Sequence, residues 1–305
     1  MKLVIGTRGS RLALWQSEHV ARRLRELHPG LEVELLTLST RGDRELEKAL
    51  PEIGGKGLFT AELEAALERG EADLAVHSLK DLPTEFDPRF TLGAVPERAS
   101  PLEALISRSG ARLSELPPNA TVGTSSPRRA AQLRAARPDL RVESLRGNVP
   151  TRIQKALDPH GPYDAILLAL AGLERLGLQQ QVTEILPPEV VLPAPAQGAL
   201  AVQARAGDEA VLELLRPLDH RPTRRAVEAE RAFLRTLGSG CSLPVGALAV
   251  EENGLLRLTG RVLRPDGSQA ITHTLQGDDP ERLGAALAEA VLAQGAAELL
   301  EGTWV

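Results

Sequence analysis

Cysteine occurs once in the 305 residues, at Cys241, and methionine only at position 1. A single thiol excludes a disulfide framework, a cysteine-based zinc site and a CxxC redox pair. Aromatic side chains make up 2% of the chain, too few for a nucleic-acid binder that stacks bases on rings. Lysine is confined to Lys2, Lys48, Lys56, Lys80 and Lys155, so the rest of the 36 basic residues are arginine. The formal net charge is −5 and the pI is near 5.8. No global basic surface therefore draws the chain to nucleic acid or to anionic lipid. Long apolar runs are missing too. The longest, Ala165 to Leu173, falls well short of the ~18 residues a membrane span needs. Lys2-Leu3-Val4-Ile5 is cut short by Gly6 and Arg8, so no secretory signal is read and the cytoplasm is expected. The six histidines show no metal-ligand spacing, and no metal is expected. Gly54-Gly55-Lys56-Gly57 is not a phosphate-binding Walker loop, because Gly57 follows the lysine where Ser or Thr is needed.

What is present is ordinary in amount and unusual in pattern. Hydrophobic residues at 42% and charged residues at 25% describe a globular chain with several cores. The length fits two domains, or three small ones. Leu3-Val4-Ile5 reads as a strand, followed by a Gly6–Ser10 loop and a helix with Ser10 as its N-cap. Residues 31–38 read as a strand and 41–57 as a loop. Thr60 is placed to cap a helix that stops at Gly70, and a strand over 72–77 ends in the polar cluster His77-Ser78-Leu79-Lys80-Asp81. A second block copies the first. Thr121-Val122-Gly123-Thr124 is again a strand with a Gly-Thr turn, with Ser126 as N-cap and Pro127 in the first helical position. Asp164-Ala165-Ile166-Leu167 matches Asp73-Leu74-Ala75-Val76. We read two similar α/β lobes with a shared cleft. Beyond them, a charged helix over 222–237, strands near 245–250, 255–263 and 269–275, and a helix capped by Asp279 form an α-βββ-α unit. Asn253-Gly254 and Asp266-Gly267 mark its hairpins.

Four clusters stand beyond strand ends or at helix starts, where open α/β sheets bind ligands. They are Thr7-Arg8-Gly9-Ser10, His77–Asp81, Ser125–Arg129, and Arg146-Gly147-Asn148 with Arg152. Their shared chemistry is anion capture, by helix N-termini and by planar guanidinium forks. Arg128 and Arg129 at a helix start oppose the helix dipole, which calls for an anionic partner. Asp81 is the odd carboxylate among cations: either an ion pair with Lys80 or a nearby arginine, or a buried anion that steadies positive charge on a substrate. Cys241, in a glycine-rich loop, reads as reachable. A non-catalytic binding protein for small carboxylates would share the lobes and the arginines. It would not explain Cys241 or the third unit.

These residues resemble the porphobilinogen deaminase (hydroxymethylbilane synthase) family. The resemblance covers nearly the whole chain. It rests on Thr7-Arg8 with Leu12–Gln16, Gly54–Phe59, Ala75–Asp81, Val122–Arg129, Arg146–Val149, Ala171–Leu173, Gln197–Ala199 and Gly240-Cys241. It implies two doubly wound lobes of the type II periplasmic-binding-protein kind plus a smaller C-terminal α+β domain. The expected boundaries are 1–96 with 193–215, 97–192, and 216–305. It implies a dipyrromethane cofactor held by a thioether on Cys241. Four porphobilinogen molecules add to it head to tail with loss of ammonia, and hydrolysis releases hydroxymethylbilane. Asp81 is then the catalytic residue. Arg8, Ser10, Lys56, Ser78, Lys80, Thr124, Ser126, Arg128, Arg129, Arg146, Arg152 and Arg175 bind cofactor and substrate, and Lys56 and Phe59 belong to a lid. A cytoplasmic monomer without nucleic-acid or membrane partners is expected. The chain departs from the family pattern at Arg11, Pro150, Gln203 and Ser239, none of which removes a reactive group.

Overall fold

The computed structural model describes residues 2–40, 60–238 and 243–300. Cys241, Ser239, Lys56, Phe59 and the 41–57 loop therefore lie outside the described residues. The chain divides into two compact units, Met1–Ala99 with Ala199–Arg224, and Ser100–Gly198 with Arg225–Val305.

The first unit is built on a five-stranded sheet in the order β2-β1-β3-β10-β4. Strands β1 (Lys2–Arg8), β2 (Glu32–Leu38) and β3 (Leu74–Ser78) run parallel, and β10 (Leu200–Arg205) pairs antiparallel with β3 and with β4 (Phe90–Ala94). Helix α1 (Arg11–Leu27) packs on the sheet through Val20, Ala21 and Leu24. Helix α2 (Ala61–Glu68) packs Leu63, Ala66 and Leu67 against Ala72, Ala75 and Phe90. Thr60 precedes α2 as expected, but its side chain makes no capping bond. Its carbonyl accepts from Glu64 N at 2.8 Å, and the side chain is buried.

The second unit repeats the plan. Its sheet runs β7-β6-β8-β5-β9. Strands β6 (Thr121–Gly123), β7 (Arg141–Glu143) and β8 (Ala165–Ala169) are parallel, and β5 (Glu103–Ser107) pairs antiparallel with β8 and with β9 (Glu184–Leu186). Helix α3 (Pro127–Ala136) follows β6 as α1 follows β1. Helices α4 (Val149–Leu157) and α5 (Leu170–Arg175) come after β7 and β8. The duplication extends to single atoms. Asp73 accepts from Val4 N and gives its own N–H to Val4 O, each at 2.8 Å, and Asp164 does both with Thr121 at the same distances. Arg205 pairs with Asp73 at 3.3 Å, and Arg108 with Asp164 at 2.9 Å. In both sheets the fourth strand is antiparallel, so each lobe is a mixed sheet and not a purely parallel one.

The same unit holds the C-terminal antiparallel sheet β11-β12-β13, Val245–Glu252, Leu255–Leu263 and Ala270–Gly277. Helices α7 (Arg221–Thr236), α8 (Pro280–Ala293) and α9 (Ala296–Leu300) supply its core, centred on the fully buried Phe233. A Cβ on Gly260 would meet the Phe233 ring at 2.6 Å, so the ring sits directly on β12.

The chain leaves and re-enters the first unit at 99/100, 198/199 and 224/225, later than the sequence predicts, and hydrogen bonds show why. Ala196 N donates to Glu230 at 2.6 Å and Pro193 O accepts from Ala247 N at 3.0 Å, which hold 193–198 in the second unit. Before α7, helix α6 (Glu209–Leu215) and the following turn stay with the first unit, because Asp219 accepts from Val95 N at 2.7 Å and His220 N donates to Val95 O at 2.8 Å. Arg11 and Pro150 both fall in the first turn of a helix, where a backbone N–H has no intrahelical partner. Neither disturbs its cap: Ser10 accepts from Ala13 N at 3.2 Å, and Asn148 from Thr151 N at 3.1 Å.

Candidate functional site

In the first unit the parallel register Gly6↔Ala75 sets the ends of β1 and β3 side by side. Arg8 closes β1, Ser10 caps α1, and Ser78 closes β3. Ser78 Oγ accepts from Gln16 Nε2 at 2.9 Å, which ties β3 to the second turn of α1. A short 3-10 turn, Leu79–Asp81, follows and is pinned by Leu79 N donating to Ala199 O at 3.0 Å. Arg8, Ser10, Gln16, His77, Ser78 and Asp81 are among the residues lining a cavity of about 80 Å³. That is room for roughly two or three water molecules, hence for one polar substituent of a ligand. Lys80, half-buried in the same turn as Asp81, is not one of the lining residues.

Asp81 is exposed, not buried as expected, and makes no ion pair or hydrogen bond to the described residues. The alternative, an ion pair with Lys80 or a nearby arginine, is not met among them either. His77 is the reverse case. It is buried and gives Nε2 to Gln203 Oε1 at 3.0 Å, and Gln203 Nε2 donates in turn to Glu64 at 3.0 Å. Burial pushes the imidazole down to about 4. The Gln203 bond opposes this shift and the Arg8 charge adds to it. His77 is therefore neutral at pH 7. Gln203, a departure from the family pattern, is what fixes its Nε2–H tautomer.

In the second unit, Ser126 caps α3 by accepting from Arg129 N at 3.4 Å, and Pro127 opens the helix. Thr124 is buried at the end of β6, and its Oγ1 accepts from Ser126 N at 3.2 Å. Arg128 and Arg129 are only 4% and 6% exposed, and both converge on Glu103, which is 0% exposed. Arg128 Nη2 reaches Glu103 Oε1 at 2.6 Å. Arg129 Nε and Nη2 reach Oε2 at 2.9 and 2.7 Å. Their remaining Nη1 groups donate to Leu192 O at 2.7 Å and Leu167 O at 3.3 Å. The anion that this pair calls for is supplied within the chain by Glu103. One carboxylate between two guanidinium groups leaves a net positive charge beside a helix N-terminus, which still attracts an anion. Burial, helped by the Arg129 charge and opposed by Glu103, holds the Arg128 pKa below the ordinary value.

Arg146 and Arg152 flank Gly147, whose φ of +122° is a conformation that glycine tolerates. The turn brings Gly147 O back to Arg152 Nε at 2.6 Å. Arg175 ends α5 and donates to Gly198 O at 2.7 Å. Burial pushes its guanidinium down to about 10, so it stays protonated at neutral pH. Sequence reasoning missed Glu103, although a signal was there: a lone acid inside the apolar strand Leu102–Ile106 needs a buried partner. Among the described residues, no group of His, Cys, Asp and Glu is arranged to hold a metal ion, and no helix is long and apolar enough to cross a membrane.

Comparison with known proteins now places the chain. Residues 3–213 match the family model described as porphobilinogen deaminase, dipyromethane cofactor binding domain. Residues 224–293 match that of the porphobilinogen deaminase C-terminal domain. The chain is 52% identical over 301 residues to the porphobilinogen deaminase of Thiobacillus denitrificans, with 98% of each chain covered. It is 54% identical to that of Stenotrophomonas maltophilia, covering 97% of this chain and 98% of the relative. It is also 54% identical to that of Xanthomonas campestris, with 98% of each covered. With lobes, C-terminal sheet and arginine clusters already laid out as above, this similarity over nearly the full length shows that the chain belongs to the porphobilinogen deaminase family.

Proposed function

We propose that Asp81 is the catalytic residue of this chain, and that its arginines hold a carboxylate-rich substrate and cofactor. The activity is that of the family: four porphobilinogen molecules are joined head to tail with release of ammonia, and hydroxymethylbilane is released by hydrolysis. The observation that carries the residue assignment is the cavity at the ends of β1 and β3. There one uncommitted carboxylate, Asp81, shares a wall with Arg8 and the Ser10 cap.

The residues fit the dipyrromethane cofactor. Each of its two pyrroles bears an acetate and a propionate. The chain offers buried or half-buried guanidinium groups and two capped helix N-termini, at Ser10 and Ser126, that favour anions. When bound, dipyrromethane supplies the free α-carbon of a terminal pyrrole as the nucleophile. Cys241 is its point of attachment in this reading, carried by the C-terminal domain after Arg224, and the lobes are residues 1–99 with 199–224 and 100–198.

Roles follow residue by residue. Arg8, Arg146, Arg152 and Arg175, with the cationic remainder of the Arg128–Arg129 cluster, hold carboxylates. Ser10, Ser78, Thr124, Ser126 and Lys80 complete the polar walls, and Lys56 and Phe59 cover the site. Loss of ammonia from the substrate's aminomethyl group leaves a cation on the substrate pyrrole. Asp81 faces the pyrrole N–H and stabilises that charge where it develops. No side-chain base is needed to generate the nucleophile, so a neutral His77 in the cavity wall is compatible with the chemistry. The low aromatic content and the net charge of −5 support a chain without nucleic-acid or membrane partners, and a cytoplasmic monomer completes the reading. The test is stoichiometry. The purified protein, given porphobilinogen, is expected to release four molecules of ammonia for each hydroxymethylbilane formed. Bilane without ammonia, or ammonia without bilane, would overturn the reading.

Arg129 provides a further test. Arg129→Leu removes two of the three hydrogen bonds to Glu103 together with a cofactor contact. Stripping one partner from a desolvated charge pair weakens binding by about 2–5 kcal/mol. The variant should purify mostly without cofactor by intact mass. Arg129→Lys should not recover loading, because an ammonium cannot reproduce the fork. A fully loaded Arg129→Leu protein would remove Arg129 from the site.

A further inference from the structure

The Glu103 cluster has the composition of a carboxylate-binding site with a carboxylate already in it. Glu103 opens β5 and is fully buried. It takes three charge-assisted hydrogen bonds at 2.6, 2.9 and 2.7 Å from two guanidinium groups on the first turn of α3. The far ends of those groups are fixed as well. Arg128 Nη1 rests on Leu192 O, and that peptide is clamped both ways by the Gln132 amide. Leu192 N donates to Oε1 at 2.8 Å and Nε2 donates to Leu192 O at 3.0 Å. Gln132 in turn accepts from Arg261 Nη1 of β12 at 2.8 Å. Without Glu103, two neighbouring buried cations would sit at the positive end of a helix with only carbonyls to face, an arrangement that repels itself. A chain folded without its cofactor would have to hold both guanidinium groups by itself.

We propose that Glu103 is an internal stand-in for a cofactor carboxylate, a positioning residue that keeps Arg128 and Arg129 folded and aimed while the chain is cofactor-free and then shares them with the bound group. The inference rests on the reading of Arg128 and Arg129 as cofactor-binding residues and adds what holds them beforehand. The charge balance requires a single acid: one carboxylate cancels one guanidinium and leaves the other to attract the ligand. A second acid would abolish the attraction, and none would leave the apoprotein unbalanced.

A purely architectural Glu103 would matter equally with and without cofactor, and a stand-in would not. Glu103→Gln keeps the shape and removes the charge. Its thermal midpoint is measured in loaded protein and in cofactor-free protein made in cells that supply no porphobilinogen, each against the unsubstituted chain. The expected drop is at least twice as large in the cofactor-free form, because in the loaded form the cofactor's carboxylates partly replace the lost charge. A Gln variant that folds only when loaded is the extreme of the same result. Equal drops overturn the proposal. If Glu103→Gln folds in neither form, Glu103→Asp, which keeps the charge one methylene short, is taken through the same four measurements with the same two outcomes. Failure here is separable from failure of the arginine reading. Normal loading of Arg129→Leu defeats the arginines as cofactor ligands, whereas equal drops together with poor loading of Arg129→Leu defeat Glu103 alone.

Discussion

Replacing Cys241 with alanine is expected to give a folded protein with no bound dipyrromethane and no turnover. The chain has one thiol, so no disulfide depends on it and no cysteine-based metal site is broken. Among the described residues, the C-terminal core is centred on Phe233 and packed by Leu256, Leu258 and Leu287. Stability should fall only by the contacts the cofactor makes in the folded state, because a thioether-bound group stays on the chain when it unfolds and is not released by mass action. Intact mass separates the two species, because the loaded chain carries a discrete covalent increment that Cys241→Ala lacks. In the native loaded protein the same sulfur should be closed to thiol reagents, and in cofactor-free protein open to them. Near-normal product formation by Cys241→Ala would refute covalent attachment at this residue. The experiment also separates the enzyme from a non-catalytic carboxylate binder of the same architecture, for which the substitution would be silent.

Local chemistry made much of the architecture readable. Ser10, Ser126 and Asp279 were legible as caps, because a short oxygen-bearing side chain before an apolar-periodic run has few other uses, and all three accept from the third residue of their helices. The duplicated lobes were legible through the repeat of Asp73-Leu74-Ala75-Val76 in Asp164-Ala165-Ile166-Leu167, whereas the bonds that Asp73 and Asp164 make to Val4 and Thr121 span 69 and 43 residues. The fourth strand of each sheet was not. Strands β10 and β5 both enter their sheets antiparallel, next to partners far away in the chain, and no local pattern encodes such a pairing. The crossing points were shifted for a related reason. A family pattern marks roughly where a chain can cross, while bonds such as Ala196 to Glu230 and Val95 to Asp219 decide where it does.

At the site, the residue types were legible and their charge state was not. Arg128 and Arg129 were correctly read as needing an anion. The anion they meet lies 25 and 26 residues away, on a neighbouring strand. Asp81 was read as a carboxylate among cations, yet its exposure follows from the 3-10 turn that ends β3 so tightly. His77 shows the same limit. Its place in a polar cluster is plain from sequence, while its neutrality depends on burial and its tautomer on Gln203, 126 residues away.

Asp81→Asn should separate chemistry from folding more cleanly than any other substitution in this chain. Most other carboxylates near the sites are committed to structure. Asp73 and Asp164 each bind a backbone amide and an arginine, and Glu103 binds two arginines. Asp81 makes no such bond among the described residues, and the turn that carries it is held by the backbone of Leu79. Removing its charge should therefore leave the thermal midpoint within the small range usual for exposed positions, about ±0.5 kcal/mol. The rate is a different matter. Losing one preorganised electrostatic group commonly lowers turnover by roughly 10²–10³, and here the lost group is the one anion among the described residues that line a cavity shared with Arg8. Asp81→Glu keeps the charge but moves it by one methylene, a displacement that costs on the order of 10²-fold in rate. Both variants should still carry dipyrromethane, since attachment happens once per molecule and tolerates slow chemistry. The measurement is single-turnover consumption of porphobilinogen by loaded, purified protein, with thermal midpoint and cofactor mass recorded on the same samples. A loaded Asp81→Asn protein that consumes porphobilinogen at the unsubstituted rate would end the assignment. Stabilisation of the developing cation would then fall to the substrate's own carboxylates, held by Arg8 and its neighbours, because Lys80 in the same turn carries the wrong sign of charge for that task.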